Sequence, residues 1–526
     1  MDVKTCFGLF LSRINSGIHS NYNVIIYMNS KNNKKGQVRT RIPPSPTGYM
    51  HIGTARTALF NFLFARHNGG EFLFRIEDTD TERSKPEFIE DIIESMRWLG
   101  LRWDGEILKQ SERKEIYAKY IKQLLDSGKA FWCYHTKEDL EKEKKEQADR
   151  GEAQVHFCSH KNGKLKTQNS KLKTTAKNSK TDGVIRLVCK ENKIKFNDLI
   201  RGEIEFNPEQ IGDIVIAKDE QSPLYNFAVV VDDYETQITH VIRGEDHISN
   251  TPKQIMILEA LGLPIPEYAH MALTLASDKT KLSKRHGAVS ISDYREMGYL
   301  PEAFINFMAL LGWNPGTDKE IFSMEELIKE FSIERMQKSS AVFNIDKLDW
   351  FNSHYIKQKD INELAKLCVP YLEKENLIKR ISNFKFQISN LGEDINIEWL
   401  QKVVELARER MRKLSEVGEL TKFFFKEPEY DVELLRWKKM TNKEIKEALD
   451  KAYNLLSGIK AEEFTKEKLK AILMPEAEAM GDRGRLLWPL RASISGLKAS
   501  PGPFEIIAVL GRGKALKRIK CASDRL

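Results

Sequence analysis

Cysteine is scarce in this chain, with six cysteines among 526 residues. Folds held by disulfides are short and rich in cysteine, so disulfides do not hold this one together, and a reducing, cytoplasmic compartment is expected. Long apolar runs are lacking as well, since none approaches the roughly 20 residues that a membrane-spanning helix needs. The sequence therefore predicts no membrane partner.

The composition excludes a disordered chain. Hydrophobic residues make up 41% and charged residues 30%, which is typical of a globular protein of about two to four domains. The net charge of +8 is small, but residues 481–526 hold ten Lys or Arg against three Asp or Glu, a net charge of +7. A basic end is typical of a protein that binds a polyanion such as nucleic acid. A solvated pair of basic helices would explain it equally well.

The N-terminal extension, residues 1–37, does not show the pattern of a folded core. Its first 28 residues hold two basic side chains and one acidic side chain around a mild apolar stretch. This stretch fits either a weak organelle-targeting sequence, in residues 1–27, or an upstream start with Met28 as the first residue in use. We expect the whole extension to be dispensable.

A corner rich in proline and glycine, residues 41–54, is the most distinctive stretch of the chain. It joins a predicted strand at residues 38–42 to a predicted helix that starts near Thr54. Prolines fix the backbone, and glycines let it approach a ligand closely. The helix start offers unpaired N–H groups and positive dipole charge, which suit a phosphate. By itself the corner predicts a phosphate-binding turn and no more.

Strands and helices alternate around this corner. A second predicted strand, residues 72–76, ends in Glu77, and buried runs follow at residues 225–233 and 239–246. The first of these runs suits a strand or a helix buried on both sides. The alternation predicts an α/β fold with a doubly wound parallel sheet, whose ligands bind at the carboxyl ends of the strands. Arg41 and Glu77 lie at or beside two of those ends.

The alternation breaks between residues 113 and 219, which predicts an insertion or small second domain. A loop at residues 161–180 has seven lysines and no acids, so it reads as flexible. From residue 301 onward the chain is mostly helical. The remaining predicted elements are helices at 117–125, 137–149, 251–261, 361–374, 398–414, 443–456 and 483–497 and strands at 184–188 and 211–217.

Five blocks of residues, taken in order, resemble one family. Pro44 to Thr54 is similar to the HIGH-type motif of class I aminoacyl-tRNA synthetases, and Lys281-Leu-Ser-Lys-Arg is similar to their KMSKS-type loop. The other three resemble bacterial-type glutamyl-tRNA synthetases: Arg75-Ile-Glu-Asp-Thr-Asp, Tyr225-Asn-Phe-Ala-Val-Val-Val-Asp-Asp and Val241-Ile-Arg-Gly-Glu-Asp-His. A single Lys-x-Ser-Lys means little in so lysine-rich a chain, but five ordered blocks are specific.

The resemblance implies a Rossmann-type class I synthetase catalytic domain with an inserted acceptor-binding domain, followed by an all-α anticodon-binding domain. The implied divisions are the extension at 1–37, the catalytic domain at 38–112 and 220–300, the inserted acceptor-stem-binding domain at 113–219, a helical stem-contact region at 301–355 and the anticodon-binding domain at 356–526.

The resemblance also implies the activity. A monomer would attach L-glutamate to tRNA(Glu) through a glutamyl-adenylate, consuming ATP and releasing AMP and pyrophosphate. One alternative is a truncated-type paralogue that glutamylates a modified tRNA base, which the intact lysine loop and the helical half disfavour. A second is a synthetase that also charges tRNA(Gln), and this stays open. A non-enzymatic RNA-binding module is disfavoured by the intact motif residues.

Activation of an amino acid is attack of its carboxylate on the α-phosphorus of ATP, so positioning and charge stabilisation dominate. The resemblance assigns catalysis to His51, Lys281 and Lys284, with the lysines closing over the leaving pyrophosphate. His51 alone could instead be a turn histidine bonded to backbone. Mg²⁺ is expected with ATP, although no dedicated metal cage is visible. The implied ATP site is His51, Gly53, Thr54, Asp246, Lys281 and Lys284.

Glutamate brings two carboxylates and one ammonium, whose natural partners are bidentate arginine and a carboxylate. The resemblance places Arg41 and Arg243 around the side-chain carboxylate and Glu77 on the α-amino group. Ser45 and Tyr225 would add hydrogen bonds. A buried arginine pair would reject glutamine, because an amide leaves guanidinium charge unpaired.

Two features qualify this glutamate site. Arg243 could instead form a structural salt bridge with Glu245 or Asp246. Val229 stands where some members of the family carry an asparagine, so Tyr225 is expected to have fewer polar neighbours.

Two Cys-x-His pairs fall in the predicted insertion, Cys133 with His135 and Cys158 with His160. Four such ligands suit a tetrahedral, structural zinc site. Some bacterial glutamyl-tRNA synthetases carry a Cys-x-Cys…Cys-x-His zinc site in this insertion, and His135 departs from that pattern. The alternative is two loop cysteines beside surface histidines.

Overall fold

The computed structural model of the chain describes residues 37–80, 82–162, 183–189, 192–280, 290–382 and 384–526. Three predictions lie outside these ranges: the N-terminal extension before residue 37, most of the lysine-rich loop, and the KMSKS-type loop with Lys281 and Lys284. Among the helices inside the ranges, none combines the length and apolar character that a membrane span requires.

The predicted strand–helix–strand unit opens the described part of the chain. Its helix begins two residues earlier than predicted, because His51 caps it by accepting the Thr54 N–H. The helix ends at His67, and Asn68 caps it where the stop was predicted; Gly69 follows with φ of +63°. The elements are β1 (Arg39–Ile42), α1 (Ile52–His67), β2 (Glu71–Ile76), α2 (Pro86–Trp98) and β3 (Leu108–Lys109), and the three strands pair in parallel.

The predicted insertion contributes to two sheets. Its helices and strands are α3 (Lys114–Asp126), β4 (Ala130–Cys133), α4 (Lys137–Asp149), β5 (Val184–Leu187), β6 (Ile194–Asp198), β7 (Gly202–Phe206) and β8 (Val215–Asp219), and β9 (Ser222–Pro223) follows just beyond its predicted end. An antiparallel sheet runs in the order β4-β5-β8-β9. The strand predicted at residues 211–217 begins only at Val215, and a 3₁₀ turn at Pro208–Gln210 precedes it.

The open choice at residues 225–233 is settled as a helix. The next elements are α5 (Tyr225–Glu235), β10 (His240–Gly244), α6 (Thr251–Leu261), β11 (Glu267–Met271), β12 (Thr274–Leu275) and α7 (Ile291–Glu296). Strands β10 and β11 pair in parallel, and β6 joins β11. The Thr239 N–H donates to the Arg39 carbonyl at 2.9 Å, so β10 lies beside β1. The carboxyl ends of β1, β2 and β10 therefore meet at one edge, as the pattern predicted.

The second half of the chain is mostly helical, as predicted. Its elements are α8 (Pro301–Leu310), α9 (Met324–Glu330), β13 (Ala341–Val342), α10 (Ile345–Gln358), α11 (Ile361–Lys374), β14 (Ile378–Ser382), β15 (Lys385–Ile388), β16 (Asp394–Asn396), α12 (Ile397–Arg408), α13 (Val417–Phe425), α14 (Asn442–Ser457), α15 (Lys466–Ala479), α16 (Gly484–Ser495), α17 (Pro503–Leu510) and α18 (Arg512–Asp524). Strands β14 to β16 form a small antiparallel sheet within the helices, which the sequence patterns did not predict.

Many basic side chains of residues 481–526 form ion pairs with acidic side chains of the same chain. Arg518, for example, is buried, pairs with Glu427 at 3.0 Å and donates to the Ile494 carbonyl at 2.8 Å. Five more cations of this segment pair with acids: Arg483, Arg485, Lys514, Lys517 and Lys520. The basic composition of the segment therefore says less about a polyanionic partner than its net charge indicates.

Candidate active site

The predicted glutamate and ATP residues converge on a cavity of about 1640 Å³. It opens at the carboxyl ends of β1, β2 and β10 and beside the N-termini of α1 and α5. Nine predicted residues within the described ranges line it: Arg41, Ser45, His51, Gly53, Thr54, Glu77, Tyr225, Arg243 and Asp246. Residues that are far apart in sequence are thus brought together as predicted.

Backbone bonds anchor the proline-rich corner above the sheet. The Glu77 N–H donates to the Pro44 carbonyl at 3.0 Å, and the Met50 N–H donates to Asp91 Oδ2 at 2.8 Å. The corner is therefore tied to the end of β2 and to α2. Ser45 is exposed on this corner and faces the cavity.

His51 caps α1 at the wall of the cavity. Its Nδ1 accepts the Thr54 N–H at 3.2 Å, and its Nε2 lies 3.1 Å from Thr54 Oγ1. The backbone-bonded turn histidine considered as an alternative is thus present, but its ring is also exposed to the cavity. A Cβ on Gly53 would lie 3.1 Å from two ring atoms, so glycine keeps this corner open. The first turn of α1 has no acidic residue, which leaves its N-terminus attractive to an anion.

A buried chain of alternating charges lies behind the cavity. Asp233, near the end of α5, accepts from Arg41 Nε at 3.1 Å and from Arg75 Nη1 at 2.6 Å. Arg75 Nη2 also donates to Glu77 Oε1 at 3.0 Å. All four side chains are buried. The chain of charges therefore fixes the positions of Arg41 and Glu77 at the cavity wall.

The adjacent Asp232 lies 3.8 Å from Arg75 Nε and has three hydrogen-bond donors of its own. It is fully buried and accepts from Gln110 Nε2 at 2.7 Å, from Arg113 Nε at 2.7 Å and from the Tyr117 hydroxyl at 2.9 Å. Sequence reasoning did not assign roles to these residues or to Asp233. The available signal was the pair of acids that closes the buried run at residues 225–233, since buried acids need partners.

These charges shift one another's pKa values in different directions. Burial raises the pKa of Glu77, and the Arg75 guanidinium only partly opposes this. Burial would also raise the pKa of Asp233, but Arg41 and Arg75 outweigh it, so the net shift is downward. Burial would lower the pKa of Arg75, yet its acidic neighbours raise it overall. Asp233 therefore stays ionised, and Glu77 is the acid of this group most readily protonated.

Arg243 is held in a different way, by three uncharged acceptors. Its Nε donates to His270 Nε2 at 3.1 Å, its Nη1 to Gln254 Oε1 at 2.9 Å and its Nη2 to Thr251 Oγ1 at 2.8 Å. The side chain is buried, and burial lowers its pKa. Within the part of the chain that the structure describes, no carboxylate forms an ion pair with Arg243.

The salt bridge considered as an alternative for Arg243 does not form with Glu245. That carboxylate pairs with Arg201 at 2.5 Å and accepts the Leu273 N–H at 2.9 Å. Asp246 lines the cavity beside Gly244, where a Cβ would lie 2.6 Å from Asp246 Oδ1. The glycine is therefore needed for the aspartate to lie in this position.

Tyr225 projects into the cavity from the start of α5. Its hydroxyl lies 3.2 Å from His247 Nδ1, and burial, with the Glu77 charge as a smaller cause, raises its pKa to about 12. The phenol is therefore protonated at neutral pH and can donate a hydrogen bond. His247 also lines the cavity. It is a further site residue that the sequence reasoning did not assign.

The two Cys-x-His pairs converge outside this cavity. The candidate ligand atoms of Cys133, His135, Cys158 and His160 lie within 4.8 Å of one another. Nitrogen–sulfur separations are 3.4 Å from His135 to Cys133, 3.5 Å from His135 to Cys158 and 3.2 Å from His160 to Cys158. Zinc bonds of tetrahedral geometry give a nitrogen–sulfur edge of roughly 3.5 Å. Both cysteines are buried, Cys133 ends β4, and both histidines are half-buried, so the residues fit a zinc ion better than two loop cysteines beside surface histidines.

A third histidine borders this cluster. His156 Nε2 lies 3.8 Å from Cys133 Sγ, and its Nδ1 lies 2.5 Å from Glu143 Oε2. A carboxylate behind an imidazole is the arrangement that orients histidines at metal sites. Sequence reasoning missed His156 because it lies outside the two Cys-x-His pairs.

Comparisons with known proteins show the family of the chain. A family model described as tRNA synthetases class I (E and Q), catalytic domain, matches residues 37–350, and one described as an anticodon binding domain matches residues 363–523. Glutamate–tRNA ligase 1 of Caldanaerobacter subterraneus subsp. tengcongensis is 42% identical over 488 residues, covering 92% of this chain and 97% of that protein. Glutamate–tRNA ligase of Desulforamulus reducens is 42% identical over 503 residues, covering 92% of this chain and 99% of that protein.

The fold is also similar to a solved structure of the same kind. A glutamate tRNA ligase from Elizabethkingia meningosepticum, crystallised in complex with its amino acid, is 33% identical, with a TM-score of 0.80. The match covers 93% of this chain and all of that one. The chain therefore belongs to the class I tRNA synthetases of the glutamate and glutamine group, and within that family to the glutamate–tRNA ligases.

Proposed function

We propose that the cavity joins L-glutamate to ATP as glutamyl-adenylate and then transfers the glutamyl group to tRNA(Glu). Membership of the glutamate–tRNA ligases supports the reaction, and the cavity supports the residue roles that follow. The observation that carries the proposal is Arg243, a buried guanidinium held by uncharged acceptors only.

Arg243 would bind the side-chain carboxylate of glutamate. A buried cation without an ion-pair partner is costly, and a substrate carboxylate would supply the missing charge. Glutamine offers an amide there and would leave the guanidinium unpaired, so the same feature explains a preference for glutamate. Arg41 lines the same cavity and would act on the same carboxylate.

The other glutamate contacts follow from position. Glu77 would accept the α-ammonium group through its carboxylate, because it is an acid at the cavity wall. Tyr225 would donate its hydroxyl proton, and Ser45 would add a hydrogen bond from the corner. The ion pairs of Arg41 with Asp233 and of Arg75 with Glu77 keep these groups in place before the substrate arrives.

ATP would lie across the start of α1. His51, Gly53 and Thr54 surround the helix N-terminus, whose positive field suits the phosphates, and Asp246 lines the same cavity. Lys281 and Lys284 would close over the leaving pyrophosphate. Mg²⁺ would enter with the phosphates. Within the described ranges, the side chains grouped closely enough to hold a metal are those of the Cys/His cluster, which lies outside the cavity.

The Cys/His cluster would hold a structural zinc ion through Cys133, His135, Cys158 and His160. A bound zinc ion would supply a crosslink between the end of β4 and the segment that carries Cys158. The cluster is formed outside the cavity, so its proposed role is in folding rather than in the reaction.

The anticodon-binding match at residues 363–523 supports a whole tRNA as partner. A paralogue that glutamylates a modified base resembles the catalytic half alone, so this match disfavours that alternative. Charging of tRNA(Gln) as well depends on anticodon contacts and is decided by aminoacylating purified tRNA(Glu) and tRNA(Gln) separately.

The test of the proposed function is ATP–pyrophosphate exchange. We expect glutamate-dependent exchange when tRNA(Glu) is present, and the family resemblance implies little exchange without it. Aspartate and glutamine serve as matched amino acids that should not support exchange. Absence of exchange with glutamate, ATP, Mg²⁺ and tRNA(Glu) together would overturn the proposal.

A further inference from the structure

His270 lies directly behind Arg243 in the sheet. The two residues are opposite each other in the parallel pairing of β10 with β11, so their side chains share one face. His270 is fully buried, as is Asp198 at the end of β6. The His270 ring lies between Arg243 and Asp198, with Nε2 3.1 Å from Arg243 Nε and Nδ1 2.6 Å from Asp198 Oδ2.

This geometry determines where the His270 proton lies. A guanidinium only donates hydrogen bonds, so His270 Nε2 must accept from Arg243 and cannot carry a proton. The ring proton is therefore on Nδ1 and is donated to Asp198. Burial lowers the pKa of His270, which agrees with a neutral ring.

Asp198 is itself held as an acceptor. Its carboxylate receives backbone N–H groups from His270 at 3.0 Å, from Ile200 at 3.0 Å and from Arg201 at 2.8 Å, besides the imidazole proton. Four accepted hydrogen bonds stabilise the ionised form of the Asp198 carboxylate, which therefore carries no proton. Asp198 therefore fixes one tautomer of His270, as a buried aspartate does in catalytic triads.

The consequence for Arg243 is that it is oriented without being neutralised. A carboxylate in contact with the guanidinium would orient it equally well but would cancel the charge that a substrate carboxylate needs. Here the negative charge of Asp198 is one imidazole ring away. Gln254 and Thr251 are uncharged as well, so every contact that the described residues make to the Arg243 nitrogens leaves its charge in place.

The aromatic ring of Tyr268 lies against both His270 and Arg243. Tyr268 stacks on His270 with an interplanar angle of 11°, and the Arg243 guanidinium carbon lies 5.6 Å from the centre of the Tyr268 ring. A cation over a ring face is stabilised by the ring quadrupole without transfer of charge. This contact also holds Arg243 while leaving it cationic.

We propose that Asp198 and His270 are positioning residues that hold Arg243 through an uncharged acceptor and thereby set the preference for a carboxylate over an amide on the substrate side chain. The inference rests on the proposed function, in which Arg243 binds that carboxylate. Neither residue is among those that line the cavity.

Three variants test the tautomer directly. In Asp198→Asn the amide can donate to His270 Nδ1, which moves the ring proton to Nε2 and sets a donor against Arg243. In His270→Leu the acceptor is removed, and in His270→Gln an amide oxygen can replace it. Asp198→Asn and His270→Leu each leave one donor of the buried Arg243 guanidinium unsatisfied. We therefore expect the KM for glutamate to rise about tenfold in these two variants. We expect a smaller rise for His270→Gln, an unchanged KM for ATP and, in the first two, weaker rejection of glutamine.

Matched controls separate this role from loss of stability. Asn352 is also fully buried and donates and accepts backbone bonds, including one from the Leu300 N–H at 2.7 Å, but it lies outside the cavity lining. Asn352→Ala should lower the melting temperature and leave the KM for glutamate unchanged. A normal KM for glutamate in folded Asp198→Asn, or an equal rise in Asn352→Ala, would overturn the inference.

Arg243→Gln distinguishes the inference from the proposed function. A normal KM for glutamate in this variant would refute the role of Arg243 itself, and the inference with it. A raised KM in Arg243→Gln with normal values in His270→Leu and Asp198→Asn would refute the inference alone.

Discussion

Arg41 donates through Nε to both carboxylate oxygens of Asp233, at 3.1 and 3.2 Å, although 192 residues separate the two in the chain. The bond links the strand before the proline-rich corner to the end of α5. Asp233 also binds Arg75, which binds Glu77. The Asp233 carboxylate thus positions Arg41 directly and Glu77 through Arg75. The proposed function assigns both Arg41 and Glu77 to binding the same glutamate substrate.

Asp233→Asn should strongly destabilise the fold. The substitution keeps the shape but leaves two buried guanidinium groups without their shared charge, and breaking a buried pair in this way costs about 3–5 kcal/mol. The measurement is the free energy of unfolding in urea. Asp80→Asn is the control, because Asp80 pairs with Arg83 at the exposed surface, where no measurable loss is expected. Equal stability of the two variants would contradict the buried network.

His51→Ala and Arg41→Ala should affect different kinetic constants. His51 lies at the start of α1, where charge develops on the phosphates, so its loss should lower kcat by about 10²-fold with a small change in the KM for glutamate. Arg41 lies by the proposed glutamate site, so its loss should raise that KM by about tenfold with a smaller change in kcat. Steady-state aminoacylation of tRNA(Glu) measures both. If His51→Ala mainly raised the KM for glutamate and Arg41→Ala mainly lowered kcat, the proposed roles of the two residues would be exchanged.

Local sequence patterns predicted helices well where residues at their ends mark them. The helices at residues 251–261 and 361–374 are found with the predicted bounds: Pro252 lies in the first turn of one and Gly262 caps its end, and Asp360 caps the start of the other. The run at residues 225–233 could not be assigned, since a segment buried on all sides has no periodicity to read. Its charged end nevertheless marked the position of Asp233.

The motifs indicated candidate residues that line one cavity, but the partners of these residues could not be predicted. Arg243 stands within a recognisable block, whereas His270, which holds it, lies on a neighbouring strand 27 residues later. No local rule connects an arginine to a histidine on another strand, because the pairing depends on strand order and register. The sequence reasoning offered Glu245 or Asp246 as the alternative partner, and the structure pairs Glu245 with Arg201 instead.

Glutamate binding should weaken as the pH falls, because of Glu77. Burial raises the pKa of this carboxyl above its ordinary value, against the opposing charges of Arg75 and Arg41. Protonation removes the partner of the substrate ammonium, so the KM for glutamate should rise as the pH decreases towards that raised pKa. In Glu77→Gln the KM should be high at every pH and this acid limb should disappear. The measurement is the KM for glutamate as a function of pH.

His247→Gln is the control for that pH dependence. His247 lines the same cavity, contacts Tyr225 and has a pKa lowered by burial, so it could also titrate on the acid side. We expect the acid limb to persist in His247→Gln. If it disappears there and stays in Glu77→Gln, the titrating group is the histidine.

Zinc should be lost when one of the four clustered ligands is removed. Cys158→Ser should abolish the zinc that purified protein carries, about one ion per chain for a four-ligand site, and should lower the melting temperature. Cys368→Ala is the control, because Cys368 is buried in an apolar core away from the cluster. That variant should lose stability through the cavity it leaves while keeping its zinc. Zinc content by elemental analysis separates the two, and full zinc in Cys158→Ser would contradict the site.

His156→Ala should weaken zinc binding without abolishing it. His156 lies between Glu143 and the Cys133 sulfur, at 2.5 and 3.8 Å, and groups that support metal ligands from behind typically contribute 10–100-fold in affinity. We therefore expect the zinc dissociation constant, measured by competition with a chromophoric chelator, to rise within that range. Glu143→Gln should act in the same direction, because it removes the charge that orients the imidazole. Loss of all zinc in His156→Ala would show instead that His156 is itself one of the ligands, and an unchanged dissociation constant would remove it from the site.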